Sequence, residues 1–245
     1  MIAVKCRHCG STDVKKNGKA KTGKQRYICS NPECEKKTFI IDYTYNAHDP
    51  KVRSQIFWSV VNGSGTRATA RTLKIAKGTV TEVLRSVKEN LWYVNYDYIE
   101  KHKSEEISID FVLADEVEMD EMWSFYHDKK HQIWLWWAID HSTGEPLAFC
   151  FGTREHKYLD ELSGLLKPFY INIVYSDDNF AYKKRIDNNV TGKENTQKIE
   201  RKHLSLRTWC SRLVRKGIRF SKDKDMHIIV VALIINFWFF NRIVW

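Results

Sequence analysis

Four cysteines near the start of the chain form two close pairs, and this spacing constrains the local fold more than any other feature. Two residues separate Cys6 from Cys9, four separate Cys29 from Cys34, and nineteen lie between the pairs. Each short loop can supply two thiolates to one tetrahedral zinc ion, and the insert is long enough for a hairpin that makes the loops face each other. Disulfides are the alternative, which an intracellular chain disfavours. The sequence therefore predicts a structural Zn²⁺ site in a ribbon-like module at residues 1–48.

Three other residues could compete for such a metal ion. His8 lies between two of the cysteines, yet four thiolates already complete a tetrahedral shell. Cys150 and Cys210 occur far along the chain in apolar or helical surroundings, so we interpret them as packing residues.

The charge of the chain is unevenly distributed. Forty Lys and Arg against thirty Asp and Glu give a net charge of +10, which favours a polyanionic partner. Residues 198–224 carry a local charge of +8, whereas residues 105–128 carry −9 and contain no Lys or Arg. A solvated acidic face would explain the second segment. The alternative is that some of its carboxylates hold cations that in turn bind phosphate.

The composition is typical of a folded, soluble intracellular protein. Hydrophobic residues make up 43% of the chain and charged residues 29%. The longest apolar run, residues 228–240, is too short to span a bilayer and predicts a buried helix. Lys5 and Cys6 stand where a signal peptide would have its apolar stretch. We therefore expect no membrane partner and a cytoplasmic, nucleoid-associated location.

Helical spacing and turn signals predict a helix-turn-helix DNA-binding domain at residues 49–92. Asp49 before Pro50 is a good helix start, and further helices are expected at 66–73 and 79–88. This domain would follow the basic zinc module directly, which favours DNA as the partner of both.

Three apolar residues have the spacing that a helix-turn-helix requires. Ala70 is small enough to let two helices cross closely, and Val80 and Val83 would seat the recognition helix on the core. Lys74 occupies the turn position that usually holds glycine. A plain three-helix packing module is the alternative. The side chains expected to contact DNA are Arg67, Arg71, Thr79, Thr81 and Arg85.

After a linker expected at 93–106, residues 107–245 alternate between strand and helix patterns. Strands are predicted at 111–125, 131–139, 146–151 and 171–175, and helices at 155–166, 196–214 and 226–244. Three strands, a helix, a strand and then helices is the order of a ribonuclease-H-like fold with a mixed sheet, in which the first and fourth strands are neighbours. Residues 188–192 give little signal for a fifth strand. The whole chain is therefore predicted to be a multidomain protein of the α+β and α/β classes.

Acidic residues lie where that sheet would bring them together. Asp120 is in the first predicted strand and Asp177 follows the fourth, while Glu200 is an acid in an otherwise basic helix. The alternative for Glu200 is simple pairing with a basic residue four positions away. Three such carboxylates can hold two Mg²⁺ ions, or Mn²⁺ in their place, for phosphodiester chemistry. Nearby side chains expected to steer the DNA backbone are Lys198, Arg201, Lys202 and Arg207.

Several motifs resemble those of one family, the insertion-sequence-one elements. Cys6-x2-Cys9 with Gln25-Arg26-Tyr27-x-Cys29, and NGSGTRATAR at 62–71, resemble the N-terminal protein of these elements. The strings EVEMDEMWSF, SDDNFAY and QKIERKHLSLR resemble their catalytic half, at residues 116–125, 176–182 and 197–207. The resemblance covers essentially the whole chain, in the family's order.

This resemblance implies a DDE transposase whose DNA-binding and catalytic halves are fused in one chain. Matched motif to motif, its catalytic, metal-binding carboxylates are Asp120, Asp177 and Glu200. Asp178 stands where other members often have glycine, and either of the adjacent aspartates could be the second ligand. Asp177 is preferred because Tyr182 keeps the family's spacing from it.

The leading hypothesis is a transposase that binds the terminal inverted repeats of its element and catalyses Mg²⁺-dependent strand cleavage and strand transfer. Its partners would be double-stranded DNA, at element ends and target, and a second copy of the chain in a homodimer or larger oligomer. The first alternative is a zinc-finger and helix-turn-helix regulator whose C-terminal domain only oligomerises. The second is a ribonuclease-H-like nuclease that lacks joining activity. A phosphate-binding glycine loop and a nucleophile elbow do not occur in the sequence.

Overall fold

The chain folds into two compact units. The computed structural model describes residues 4–41, 46–102, 112–177, 180–214 and 219–244. The first unit comprises Met1–Ser59 with Thr66–Val83, and the second comprises Val60–Gly65 with Leu84–Trp245. Because this boundary passes through the segment 49–92, the division into domains at residues 48 and 92 stays a prediction.

A small antiparallel sheet begins the first unit. Its strands are β1 (Val14–Lys19), β2 (Gln25–Cys29) and β3 (Thr38–Ile40), in the order β1-β2-β3. The chain reverses between β1 and β2 through Gly23, whose φ of 79° suits a residue without a Cβ. Phe39 packs with three of the cysteines, and Tyr27 stacks on its ring. The insert between the cysteine pairs is thus a hairpin, as its turn signals predict.

Helices follow at α1 (Pro50–Val61), α2 (Thr66–Leu73) and α3 (Lys77–Ser86). α1 begins where the sequence predicts, because the Asp49 carboxylate accepts the backbone N–H of Lys51 at 3.0 Å. α2 has the predicted bounds, and α3 begins two residues before the predicted start at residue 79.

The turn between α2 and α3 contains a residue in the left-handed region. Ala70 and Val80 are buried, as a helix-turn-helix requires. Lys74 has a φ of 53°, a conformation that strains a residue with a Cβ by roughly 1–2 kcal/mol. The turn therefore keeps the expected geometry without the usual glycine.

We expect Lys74→Gly to raise the free energy of unfolding of this unit by about 0.5–1 kcal/mol. Glycine adopts the left-handed region without strain, and its more flexible unfolded chain offsets part of the gain. Lys74→Ala is the matched control, because it removes the same charge and keeps the Cβ. Thermal unfolding followed by circular dichroism measures both variants. An equal gain in Lys74→Ala would show that the lysine charge, not the backbone, is responsible.

A five-stranded mixed sheet is the centre of the second unit. Strands β4 (Val112–Leu113) and β8 (Phe169–Tyr170) pair separately, and the five strands of the sheet are β5 (Glu116–Phe125), β6 (Gln132–Asp140), β7 (Pro146–Gly152), β9 (Ile173–Ser176) and β10 (Asn189–Thr191). Their order is β10-β9-β5-β6-β7, with β6 antiparallel to both neighbours and β9 parallel to β5 and β10. The first and fourth strands are neighbours, so the ribonuclease-H-like prediction is confirmed.

The helices of the second unit cover both faces of this sheet. They are α4 (Tyr96–His102), α5 (Lys157–Leu165), α6 (Phe180–Arg185), α7 (Gln197–Trp209) and α8 (Lys224–Trp238). Trp136 points to the face where Leu159 and Leu162 of α5 are buried. Trp137, the next residue along β6, points the other way, and its ring contacts Phe239 beside α8. Short 3₁₀ turns lie at Asn46–His48, Lys88–Asn90, Lys193–Asn195 and Ser211–Leu213.

α8 is buried along nearly its whole length, as its apolar sequence predicts, although it ends at Trp238 and not near residue 244. Asn236 is a fully buried polar residue within it. Its side chain accepts the backbone N–H of Trp92 and donates to the Trp92 carbonyl, both at 2.9 Å. Among the described residues, no helix is long and apolar enough to cross a membrane.

The structure differs from the sequence prediction in two segments. Part of the predicted linker 93–106 is α4, and Tyr98 is only 2% exposed, with its hydroxyl donating to Asp140 at 2.5 Å. The charges around Tyr98 conceal this packing in the sequence, and residues 103–106 lie outside the described residues. The weakly signalled fifth strand is present as β10, which pairs with β9 through three residues.

Candidate active site and metal centre

The sulfur atoms of four cysteines come together in the first unit. Sγ of Cys6 lies 3.8 Å from Sγ of Cys34, and Sγ of Cys9 lies 3.6 Å from Sγ of Cys29. All four sulfur atoms lie within 4.8 Å of one another. Thiolates bound to a tetrahedral zinc ion at about 2.3 Å are about 3.8 Å apart, so the observed spacing fits zinc. His8 is not part of this group, as the sequence predicts.

Cys9, Cys29 and Cys34 differ in how readily their thiols lose a proton. The backbone amide of Ser11 lowers the pKa of Cys9 to about 7. Burial raises the pKa of Cys34 to about 12 and the pKa of Cys29 above its usual value. A metal ion must displace protons from these buried thiols, so its affinity falls as the pH falls.

One other group in the described part of the chain places three ligand atoms within 4.8 Å of one another: His127, Asp128 and His131, in the exposed turn after β5. Asp128 accepts the backbone N–H of Lys130 at 2.8 Å and lies 3.0 Å from Nδ1 of His131. These hydrogen bonds lower the pKa of Asp128. Because they explain the group as a turn capped by an aspartate, we assign no metal to it.

The three acidic residues of the predicted site converge in the second unit. β5 and β9 pair in parallel with Glu118 opposite Tyr175, and two residues further along each chain are Asp120 and Asp177. Glu200 lies in the first turn of α7, which packs on β5. Asp178, the alternative second ligand, lies outside the described residues.

The electrostatics of Asp120 show that these carboxylates are close. Burial is the main cause that raises the pKa of Asp120 to about 7, together with the charges of Glu121, Asp177 and Glu200 and against the backbone N–H of Glu121, which lowers it. The triad is not among the described groups whose ligand atoms all lie within 4.8 Å. Glu200 is exposed and Asp177 half-buried, so the site is open to a large substrate.

A histidine on α7 orients the first aspartate. The indole N–H of Trp137 donates to Nε2 of His203 at 2.8 Å, so in the neutral ring the proton is on Nδ1. Nδ1 of His203 lies 3.5 Å from Oδ2 of Asp120. The other oxygen, Oδ1, accepts the backbone N–H of Glu121 at 2.7 Å. Both oxygens of Asp120 are therefore held in one orientation.

The sequence prediction does not include His203 in the site. The available signal is position: His203 comes three residues after Glu200 and therefore lies on the same face of a helix. The partner across the sheet, Trp137, becomes apparent only from the fold.

The four basic residues predicted on α7 have different surroundings. The Lys198 amine donates to the carbonyls of His141 and Ser142, which docks α7 on the turn after β6. Lys202 lies over the ring of Phe239 at 5.4 Å, and burial lowers its pKa. Arg201 is exposed and Arg207 half-buried. Arg201 is therefore the residue of this set with the most accessible charge.

The predicted DNA contacts of α2 and α3 lie at the surface of their helices. Arg67, Arg71 and Arg85 are exposed, and Thr79 and Thr81 are half-buried. The Thr81 hydroxyl donates to the Gly78 carbonyl at 2.8 Å, which leaves its oxygen as an acceptor. The arginines are thus the side chains most accessible to a phosphate backbone.

Comparisons with known families agree with this geometry. Residues 113–241, more than half of the chain, match the family model of the IS1 transposase DDE domain. The chain belongs to the IS1 transposase family. Residues 43–90 match a second model, the InsA C-terminal domain, which is a helix-turn-helix. The IS1 transposase match spans all three acidic residues, and neither match reaches Cys6, Cys9, Cys29 or Cys34.

Relatives of this IS1 transposase are found in enteric bacteria. The insertion element iso-IS1n protein InsB of Shigella dysenteriae is 44% identical over 121 residues, which are 49% of this chain and 92% of that protein. The IS1 protein InsB of Shigella sonnei is 37% identical over the same shares of both chains. The catalytic core domain of BIV integrase gives a TM-score of 0.36 at 13% identity, over 50% of this chain and 82% of that chain. That last likeness is too weak to carry an argument.

The predicted family and function are confirmed by these matches. The protein is a transposase of the IS1 family, with a DDE domain that makes it a transposition enzyme and a helix-turn-helix domain for DNA. The DDE domain implies the use of divalent metal, and the cysteine group has the composition of a metal site. The roles of individual residues stay predictions.

Proposed function

We propose that this transposase cuts DNA at the terminal inverted repeats of its own element and joins the ends to target DNA, using Asp120, Asp177 and Glu200 as its catalytic carboxylates. The observation that carries the proposal is geometric: β5 and β9 pair in parallel, so that Asp120 and Asp177 follow the paired Glu118 and Tyr175 by two residues each, and Glu200 lies in the first turn of α7, which packs on β5. The charges of Asp177 and Glu200 also raise the pKa of Asp120, which agrees with this placement. Structural ion pairs rarely bring three like charges together without a cation.

These carboxylates fit a pair of hard divalent cations, Mg²⁺ or Mn²⁺. Their oxygens are the ligands that such ions prefer, and all three residues come from rigid elements or their ends. When bound, the ions polarise the scissile phosphate, activate a water or a 3′-hydroxyl and stabilise the departing oxygen. His203 keeps Asp120 oriented toward them through its Nδ1–H.

DNA contacts are proposed on both units. Arg67, Arg71 and Arg85 would bind the element end through phosphates, with Thr79 and Thr81 near base edges. Arg201 and Arg207 would hold the strand beside the carboxylates, and Lys198 and Lys202 add positive potential from their docked positions.

The remaining parts of the proposal concern zinc, assembly and location. The ion that fits the cysteine group is Zn²⁺, in a structural role. A homodimer or larger oligomer is proposed because two element ends must be joined to one target. Because the proposed substrate is DNA, we expect the protein to be in the cytoplasm, bound to the nucleoid.

The test is a strand-transfer assay with zinc-loaded full-length protein and labelled DNA that carries the element ends. We expect nicked ends and joined products in Mg²⁺ or Mn²⁺, and DNA binding without cleavage in Ca²⁺. Cleavage without joined products would replace the proposal by the nuclease hypothesis. Binding without any cleavage, in all three metals, would favour the regulator.

A further inference from the structure

Glu118, a second carboxylate on β5, is buried, and the proposed mechanism gives it no catalytic role. Glu118 precedes Asp120 by two residues, so both side chains lie on the same face of the strand. Glu118 is 0% exposed, and a carboxylate removed from water in this way needs specific partners. Its position next to the proposed site makes those partners informative.

Glu118 has a partner at each oxygen. Oε2 accepts the backbone N–H of Ile199 at 2.8 Å, and Oε1 lies 2.8 Å from Nδ1 of His141. With both oxygens occupied and no exposure, Glu118 is not available as a metal ligand. The carboxylate instead connects three elements: β5, the turn after β6, and the start of α7.

The contact with Ile199 supplies a cap that α7 otherwise lacks. The first N–H groups of a helix have no partner within the helix, and they carry partial positive charge. Thr196, the residue that precedes α7, makes no side-chain capping bond. Glu118 provides the negatively charged acceptor from a neighbouring strand, one residue before Glu200.

His141, in the turn after β6, contacts both β5 and α7 through its backbone. Its backbone N–H donates to the Glu116 carbonyl at 2.8 Å, which fixes the turn on β5. Its carbonyl accepts the Lys198 amine, so the turn also holds the first turn of α7. Of these two links to α7, the Lys198 amine is exposed to competing water, whereas the Glu118 bond is fully buried.

We propose that Glu118 is a positioning residue, whose carboxylate ties the first turn of α7 to β5 and thereby sets the distance between Glu200 and Asp120. Asp120 and Glu118 are two residues apart on a rigid strand, and Ile199 and Glu200 are adjacent in one helical turn. Loss of the tie frees Glu200 to move while the strand keeps Asp120 in place. The inference rests on the proposed function, in which these two residues share the same cations.

The test compares Glu118→Leu and Glu118→Gln with Asp160→Asn as the control, an exposed acid on α5 that pairs with Arg185. Two readouts do not depend on turnover: Mn²⁺ affinity of the DNA-free, zinc-loaded protein by electron paramagnetic resonance, and hydrogen exchange of the Ile199 amide. We expect Glu118→Leu to weaken Mn²⁺ binding at least tenfold and to speed exchange at Ile199 at least tenfold. Glu118→Gln keeps one acceptor and should weaken Mn²⁺ binding about threefold, and Asp160→Asn should match the wild type.

The reference variant Asp120→Asn separates this inference from the proposed function. If Asp120→Asn loses Mn²⁺ binding while a folded Glu118→Leu binds it as the wild type does, only the positioning role of Glu118 is overturned. If Mn²⁺ binding survives Asp120→Asn, the proposed site itself fails, and the inference fails with it. If Glu118→Leu does not fold, Glu118→Gln decides: wild-type affinity and exchange in that variant overturn the tie, and a threefold shift in both supports it.

Discussion

Asp120→Asn is expected to abolish DNA cleavage and joining and, at the same time, to make the protein harder to unfold at pH 8. The loss of activity should be at least about a thousandfold, because a metal-holding carboxylate supplies several kcal/mol of transition-state stabilisation. The gain in stability has a different cause, which is the position of this carboxylate among other acids.

The pH dependence follows from the raised pKa of Asp120. Burial and the neighbouring carboxylates raise this pKa from 3.8 to about 7. Between about pH 4 and 7 the folded protein therefore holds a proton that the unfolded chain releases, so the free energy of unfolding falls as the pH rises through this window. Asparagine carries no charge, and we expect it to add roughly 2–4 kcal/mol at pH 8 and nothing below about pH 4.

Two measurements on metal-free and metal-loaded protein test this prediction. Thermal unfolding in the absence of Mg²⁺, at pH 4 and pH 8, gives the stability difference, and the strand-transfer assay gives the activity. Asp160→Asn is the matched control, because Asp160 is an exposed acid paired with Arg185 and should affect neither. An Asp120→Asn protein that joins DNA at the wild-type rate would remove Asp120 from the mechanism. If Asp120→Asn changed the free energy of unfolding equally at pH 4 and pH 8, the raised pKa of Asp120 would not be the cause of the change.

Cys29→Ser is expected to unfold the small sheet of the first unit and to release its metal ion. The sheet has little apolar core beyond Phe39 and the cysteines themselves. A structural zinc site of this kind contributes about 10 kcal/mol or more to folding, far more than such a core supplies. The second unit has its own core, so we expect its thermal transition to remain.

Zinc content and DNA binding provide the measurements for this variant. The wild type should contain one equivalent of Zn²⁺ and the Cys29→Ser protein less than about a tenth of that. Affinity for the element end should fall at least tenfold if the sheet contributes to DNA contact or supports the helices that do. Cys210→Ser is the control, since Cys210 is buried outside the cluster and should leave zinc content unchanged. One equivalent of zinc retained by Cys29→Ser would contradict the four-cysteine site.

Local patterns in the sequence predict much of this fold, and they fail where packing between distant segments decides. Strand patterns in the sequence predict β5, β6, β7 and β9, and the order of these strands then implies that Asp120 and Asp177 are neighbours. The linker prediction at 93–106 is wrong at α4, because a single buried tyrosine among charged residues leaves no periodic signal. β10, with three residues, is too short to give a periodic signal.

The candidate site was predictable only in part, for a related reason. Its three carboxylates are conspicuous in the sequence, since Asp120 lies in an acidic strand, Asp177 directly follows a strand, and Glu200 interrupts a basic helix. The residues that hold them in place are not conspicuous. His203 and Glu118 resemble ordinary members of a helix and a strand, and their partners are brought to them by the sheet.

The burial of α8 has a consequence for the order in which activity is acquired during synthesis. Asn236 serves both backbone groups of Trp92, and the rest of the helix covers the sheet face on which α7 lies. We therefore expect a ribosome-bound chain from which α8 has not yet emerged to lack the support for the three proposed metal-binding carboxylates. Cleavage competence is therefore expected only after α8 has been released and has packed on the sheet.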